Sequence, residues 1–231
     1  DCSGEVLYDF DLMGGGGHVL GCRISGADAL QVADVAAEVT ADQQVKFAVG
    51  DGNHSLAAAR NCWLERKKRL TPEQAENDPA RFALVELVNI HDASIRFKPI
   101  HRVLLQTNPA HWFSTAAQLL FDPNGREVTL LAGGERYTLR AKGETIGALI
   151  ANVEQFCRDY LAQHGGEIDY IHGDDETRML SARADCCGVL LPPIEKDELF
   201  SSIAQSGVFP RKSFSIGLGS DKRYYLECRK I

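Results

Sequence analysis

The sequence is short of positive charge. In 231 residues, 25 Lys and Arg stand against 32 Asp and Glu, a formal net charge of −7. A broad cationic surface is therefore excluded as the default, and non-specific nucleic-acid binding with it. Long apolar runs are lacking too. No stretch reaches the roughly 20 uncharged apolar residues of a membrane-spanning helix, so no membrane partner is expected. The opening residues Asp1-Cys2-Ser3-Gly4-Glu5 are neither basic nor apolar, unlike a secretory leader. Internal repeats and low-complexity linkers are absent. No two of the seven Cys have C-x-x-C spacing, which argues against a zinc ribbon or a thioredoxin-type site. Scattered Cys without a leader fit a reducing cytosol, so a cytoplasmic location is expected. The vicinal pair Cys186-Cys187 reads as two thiols on opposite faces of a strand.

What is present is the mix of a globular protein, 44% hydrophobic and 25% charged. Alternation marks strands over residues 6–10 and 19–24, flanking the four glycines 14–17. Helical spacing marks residues 27–39, and a second helix runs from Ser55 to about Arg69. A short strand is expected at 46–49. The nearly continuous apolar run at 82–90 reads as a strand buried on both faces. An extended piece follows at 95–105. Then come a helix from Pro109, a hairpin about Gly133-Gly134, and an amphipathic helix over 145–162. Strands at 167–171, 188–191, 214–216 and 224–228 alternate with helices at 174–183 and 197–205. The expected class is α/β, of the α+β kind: a mixed β-sheet flanked by helices in a single compact domain over residues 1–231.

The sharpest candidate site is Gly50-Asp51-Gly52-Asn53-His54-Ser55, set between the strand at 46–49 and a helix. Glycines let the backbone approach a ligand, and a helix start offers free N–H groups and a positive dipole end. Asp51 can hold a metal or take a proton, and His54 can contact phosphate or act as acid or base. A tight turn capped by Asn53 or Ser55 accounts for part of the pattern, but capping needs only one small polar residue. Four further segments are candidates. Asp9 and Asp11 share a strand face and can meet one cation. His91 and Asp92 follow the apolar run as a metal-ligand pair. His101 and Arg102 stand on an extended strand, where Arg can fork onto phosphate or carboxylate. Arg211, Lys212 and Ser213 follow Pro210 and suit an anion. The acidic stretch 174–176 reads as a helix start, and the basic run 66–69 as a helix end.

Taken together, residues 7–13, 50–55, 86–92, 99–103 and 209–213 resemble a bacterial and archaeal family known as domain of unknown function 1015. The resemblance covers nearly the whole chain and implies the C-terminal portion of a longer architecture. More distantly, the strand–Asp51-Gly52-Asn53-His54–helix element is similar to the D-G-H-H-R or D-G-H-T-R element of the ParB-like superfamily, which includes free-serine kinases. That likeness implies phosphate cradled by Gly52, Asn53 and His54, with Asp51 assisting metal or substrate. Asn53 stands where a His is usual, and Ser55 where an Arg or Thr is usual.

Three readings follow. The first is a nucleotide- and Mg²⁺-dependent phosphoryl-transfer enzyme, a small-molecule kinase acting through residues 51–55. The second is a non-catalytic module that binds a nucleotide or phosphometabolite. The third is a metal-dependent hydrolase using His54, His91, Asp92 and His101.

Overall fold

A computed structural model describes residues 4–217, 223, 224 and 226. The chain divides into two units, Asp1–Asn89 with Gly219–Ile231, and Ile90–Leu218. Helices and strands mix in the chain as the sequence led us to expect, and every strand pairing among the described residues is antiparallel.

The first unit opens with a hairpin of β1 (Glu5–Asp11) and β2 (His18–Arg23). Its glycine run makes a tight 3₁₀ turn, closed by Leu12 N–H donating to the Gly17 carbonyl at 2.7 Å. Helices α1 (Gly26–Val39), α2 (Asn53–Lys67) and α3 (Pro72–Asn77) follow. Thr71 and Gln74 form a reciprocal capping box at the start of α3.

Two expected strands of this unit do not form. Residues 46–49 and 82–90 lie outside regular structure. The run at 82–90 was expected to be buried on both faces, yet Leu84, Val85, Leu87 and Val88 are all exposed. A strand needs a ladder partner for its N–H and C=O groups, and no strand pairing among the described residues includes this run. Hydrophobicity alone does not supply that partner.

The second unit is built on one sheet, ordered β5-β4-β7-β3-β6, with β8 also pairing with β3. The strands are β3 (Phe97–Leu105), β4 (Phe121–Ala132), β5 (Glu135–Ala141), β6 (Glu167–His172), β7 (Cys187–Leu190) and β8 (Phe214–Ile216). The β4–β5 hairpin turns at Gly133 and Gly134, whose φ of 61° and 83° suit the turn that two-residue hairpins favour. The helices are α4 (Pro109–Leu119), α5 (Ile146–His164), α6 (Asp174–Ser181) and α7 (Lys196–Ser206). Helix α5 is capped by Thr145 and buries Leu149, Ile150, Val153 and Cys157 against the sheet core of Leu104, Leu130 and Val189. Each such aliphatic side chain contributes about 1.5–3 kcal/mol. Trp112 of α4 is buried in the same core.

Cys186 and Cys187 are free thiols, as are Cys62 and Cys157. Burial pushes the Cys187 thiol up to about 12, so it acts as a small apolar residue rather than a nucleophile. Cys22 is disulfide-bonded, which the reading of the seven Cys as reduced thiols did not foresee. The strand expected at 224–228 falls largely outside the described residues. No helix among the described residues is long and apolar enough to cross a membrane.

Candidate functional site

In the first unit the loop at 50–55 delivers Asn53, His54 and Ser55 into the first turn of α2. The residue at the helix boundary is Gly52, not Asn53 or Ser55, and it adopts the left-handed conformation at φ 79°. A glycine has no side chain with which to cap, so no side-chain hydrogen bond closes this helix end. No acidic residue stands in the first turn to offset its dipole either, while Arg66 and Lys67 stand in the last. The Asp51 carboxylate accepts the Gly52 N–H at 2.8 Å. Asp51, Asn53, His54 and Ser55 are exposed. The result is an uncapped, solvent-facing helix start that can meet an anion with backbone N–H groups.

Asp9 and Asp11 do share a face. They grip the two nitrogens of His18, each at 2.9 Å, on the exposed hairpin. Sequence reasoning missed His18, although its place directly across the β1–β2 ladder from Asp11 could have revealed it.

In the second unit, Asp92 turns inward to its own loop. Its carboxylate accepts the Ser94 hydroxyl at 2.6 Å and the Ser94 N–H at 2.8 Å, which hold it below the ordinary carboxylate range. His91 lies 3.6 Å from Asp197. His101 is buried, and both ring nitrogens are engaged. Nδ1 accepts the Leu191 N–H at 3.1 Å, and Nε2 lies 3.0 Å from Asp174. Accepting at Nδ1 places the proton on Nε2, which donates to the carboxylate. Burial pushes this imidazole below its ordinary value, against the pull of Asp174. Among the described residues no group of three or more His, Cys, Asp or Glu side chains is arranged to hold a metal.

Arg102 is fully buried on β3 and donates from Nε to Glu154 of α5 at 3.1 Å. Its Nη1 donates to the carbonyls of Ile100 and Lys212. The structure thus joins two segments that stand far apart in the sequence, 101–102 and 211–213. The Ile100 N–H also donates to the Ser213 carbonyl at 3.1 Å, and the buried Ser213 hydroxyl donates to the Pro210 carbonyl at 2.6 Å. Glu154 accepts further bonds from the Tyr170 hydroxyl at 2.6 Å and Arg158 at 2.8 Å. Burial raises its pKa, but those donors and Arg102 outweigh burial and hold it ionised. Glu154, Arg158 and Tyr170 were not singled out from the sequence, and Asp174 was read only as part of an acidic helix start. A signal existed for Glu154: it stands on the apolar face of α5, directly after Val153 and one turn beyond Ile150, where a charge requires a partner.

The fold and loop define a mixed α/β protein whose α2 begins without a side-chain cap. Residues 2–160 match the family model for proteins of unknown function DUF1015, and the chain belongs to that family. A comparison with curated protein sequences found no match. Among solved structures the chain is similar to SbnI with C-terminal truncation from Staphylococcus aureus. The TM-score is 0.50 at 10% identity, covering 85% of this chain and 78% of that one. At that identity the likeness speaks for the fold alone.

Proposed function

We propose that the chain binds the phosphate of a nucleotide or phosphorylated metabolite at the start of α2. The observation that carries this reading is the uncapped helix end at Gly52, with no acidic residue in the first turn. Backbone N–H groups of the first turn take the phosphate oxygens, and His54 adds a donor at the same turn. The resemblance of residues 51–54 to the ParB-like sequence element supports phosphate as the anion. Phosphoryl transfer to a small hydroxyl substrate is the activity this reading extends to, with Asp51 as the carboxylate beside the phosphate. Asp51 would be the carboxylate that meets a Mg²⁺ carried on the nucleotide's phosphates, where the cation would neutralise phosphate charge.

The test is thermal unfolding of the chain with ATP, ADP, CTP or GTP and Mg²⁺. A ligand of the native state stabilises it by roughly 2.7 kcal/mol at a hundredfold excess over its Kd. Ser55→Glu places a carboxylate in the first turn, where it strengthens the free helix by about 0.3–1 kcal/mol yet repels phosphate. The nucleotide-induced shift is expected in the native chain and lost in Ser55→Glu. A shift that survives Ser55→Glu unchanged refutes this location, and no shift with any nucleotide refutes the nucleotide reading.

A further inference from the structure

The segment Phe209-Pro210-Arg211-Lys212-Ser213 has no part in the α2 loop, and its surroundings in the second unit carry a charge imbalance. Tyr170 of β6 stands opposite Arg102 of β3 in the ladder. The Arg102 guanidinium lies 5.1 Å from the Tyr170 ring centroid, and Lys212 Nζ lies 4.7 Å from the same centroid. Arg158 reaches the other end of this assembly through Glu154, which also binds the Tyr170 hydroxyl. One carboxylate, Glu154, thus pairs with two cations, Arg102 and Arg158, while Lys212 meets only the Tyr170 ring. Neither Arg211 nor Lys212 has a carboxylate partner among the described residues. Arg102 Nη2 is buried without a hydrogen-bond partner.

The backbone points the same way. Lys212 holds φ at 56°, a left-handed conformation that a glycine takes without strain. Its carbonyl is fixed by Arg102 Nη1 at 3.0 Å. A lysine kept where glycine fits better, with its ammonium laid on an aromatic face, indicates a side chain that is used. The Arg158 side chain is 62% exposed, so the cationic side of the cluster is open to solvent while Glu154 and Arg102 are not. The geometry points to a second anion site, in which Lys212 and Arg158 take a small oxyanion, a phosphate monoester or a carboxylate, beside the Tyr170 ring. Glu154 and Arg102 position the two cations and the ring, and the surplus positive charge is matched only when the anion is bound. This site does not rest on the α2 reading and shares no residue with it.

Isothermal titration of the whole chain at low ionic strength tests the assignment, with inorganic phosphate and citrate as separate probes. Binding of phosphate alone identifies the phosphate class, citrate alone the carboxylate class, and both the shared oxyanion chemistry. Lys212→Gly removes the ammonium while keeping the left-handed backbone, and Arg158→Gln removes the exposed guanidinium. Each is expected to weaken binding by roughly tenfold or more, the loss of one charge-assisted contact. Ser55→Glu is expected to leave this binding unchanged. No binding of either probe, or an affinity in Lys212→Gly and Arg158→Gln equal to that of the native chain, overturns the site. Binding abolished by Ser55→Glu but indifferent to Lys212→Gly assigns the anion to α2 instead.

Discussion

Two side chains adjacent on β3, His101 and Arg102, show how one strand sorts chemistry to different ends. Arg102 meets a carboxylate in a buried setting, where an unpaired charge is strongly unfavourable and Glu154 offsets it. His101 solves burial in the opposite way, by staying neutral. Its Nδ1 is committed to the Leu191 N–H, so taking a proton there breaks that bond as well as burying a charge. Burial therefore sets its folded pKa below the unfolded value of about 6.5. A depressed folded value means that the unfolded chain takes up the proton first as pH falls. The stabilising contribution is complete above about pH 6.5 and declines as pH drops through that value toward the folded one. Urea unfolding of the native chain and of His101→Gln, compared at about pH 7.5 and 5.5, reads this directly. The native chain is expected to lose more stability on acidification than the variant, and parallel losses in both disprove the role.

Elements whose partners lie nearby in the sequence were legible, and elements whose partners lie elsewhere were not. The β4–β5 hairpin follows from Gly133-Gly134, and α5 from its apolar spacing and Thr145 cap, because turn chemistry and helical periodicity are local. Helix α2 was legible too, apart from Gly52 taking the boundary position expected of Asn53 or Ser55. The sequence pattern drew together the loop 50–55 as one candidate. It could not foresee that 101–102 and 211–213 meet, since the bond from Arg102 to the Lys212 carbonyl spans 110 residues of chain. Residues 82–90 mark the opposite failure. Their apolar run has strand character, but a ladder is a property of two segments, and no strand pairing among the described residues includes this one. Amide hydrogen exchange separates these cases. Backbone N–H groups at 83–88 are expected to exchange near the rate of an unstructured peptide, while those of β3, β4 and β7 are protected through sub-global opening. Strong protection at 83–88 requires a pairing partner and revises this account.

At the scale of the molecule the two units differ in how they dispose of apolar surface. The second joins β3, β4 and β7 to α4, α5 and α7 through one contiguous cluster that includes Leu104, Trp112, Leu130, Ile150, Val189 and Leu199. The first buries a single apolar side chain among its described residues, Ala75, and leaves Leu30, Val35 and Val39 of α1 exposed along with the run at 82–88. Folding requires buried apolar area to outweigh the roughly 1–2 kcal/mol of backbone entropy lost per residue. The second unit meets that condition from its own residues, and the described residues of the first do not. A fragment of residues 90–218 is therefore expected to unfold in one cooperative urea transition, whereas a fragment of residues 1–89 is expected to show none. Circular dichroism through a urea titration decides it. A broad, non-cooperative melt of 90–218 contradicts the single core described for that unit. A sharp transition in 1–89 means that the apolar faces of α1 and of residues 82–88 find cover within the fragment itself.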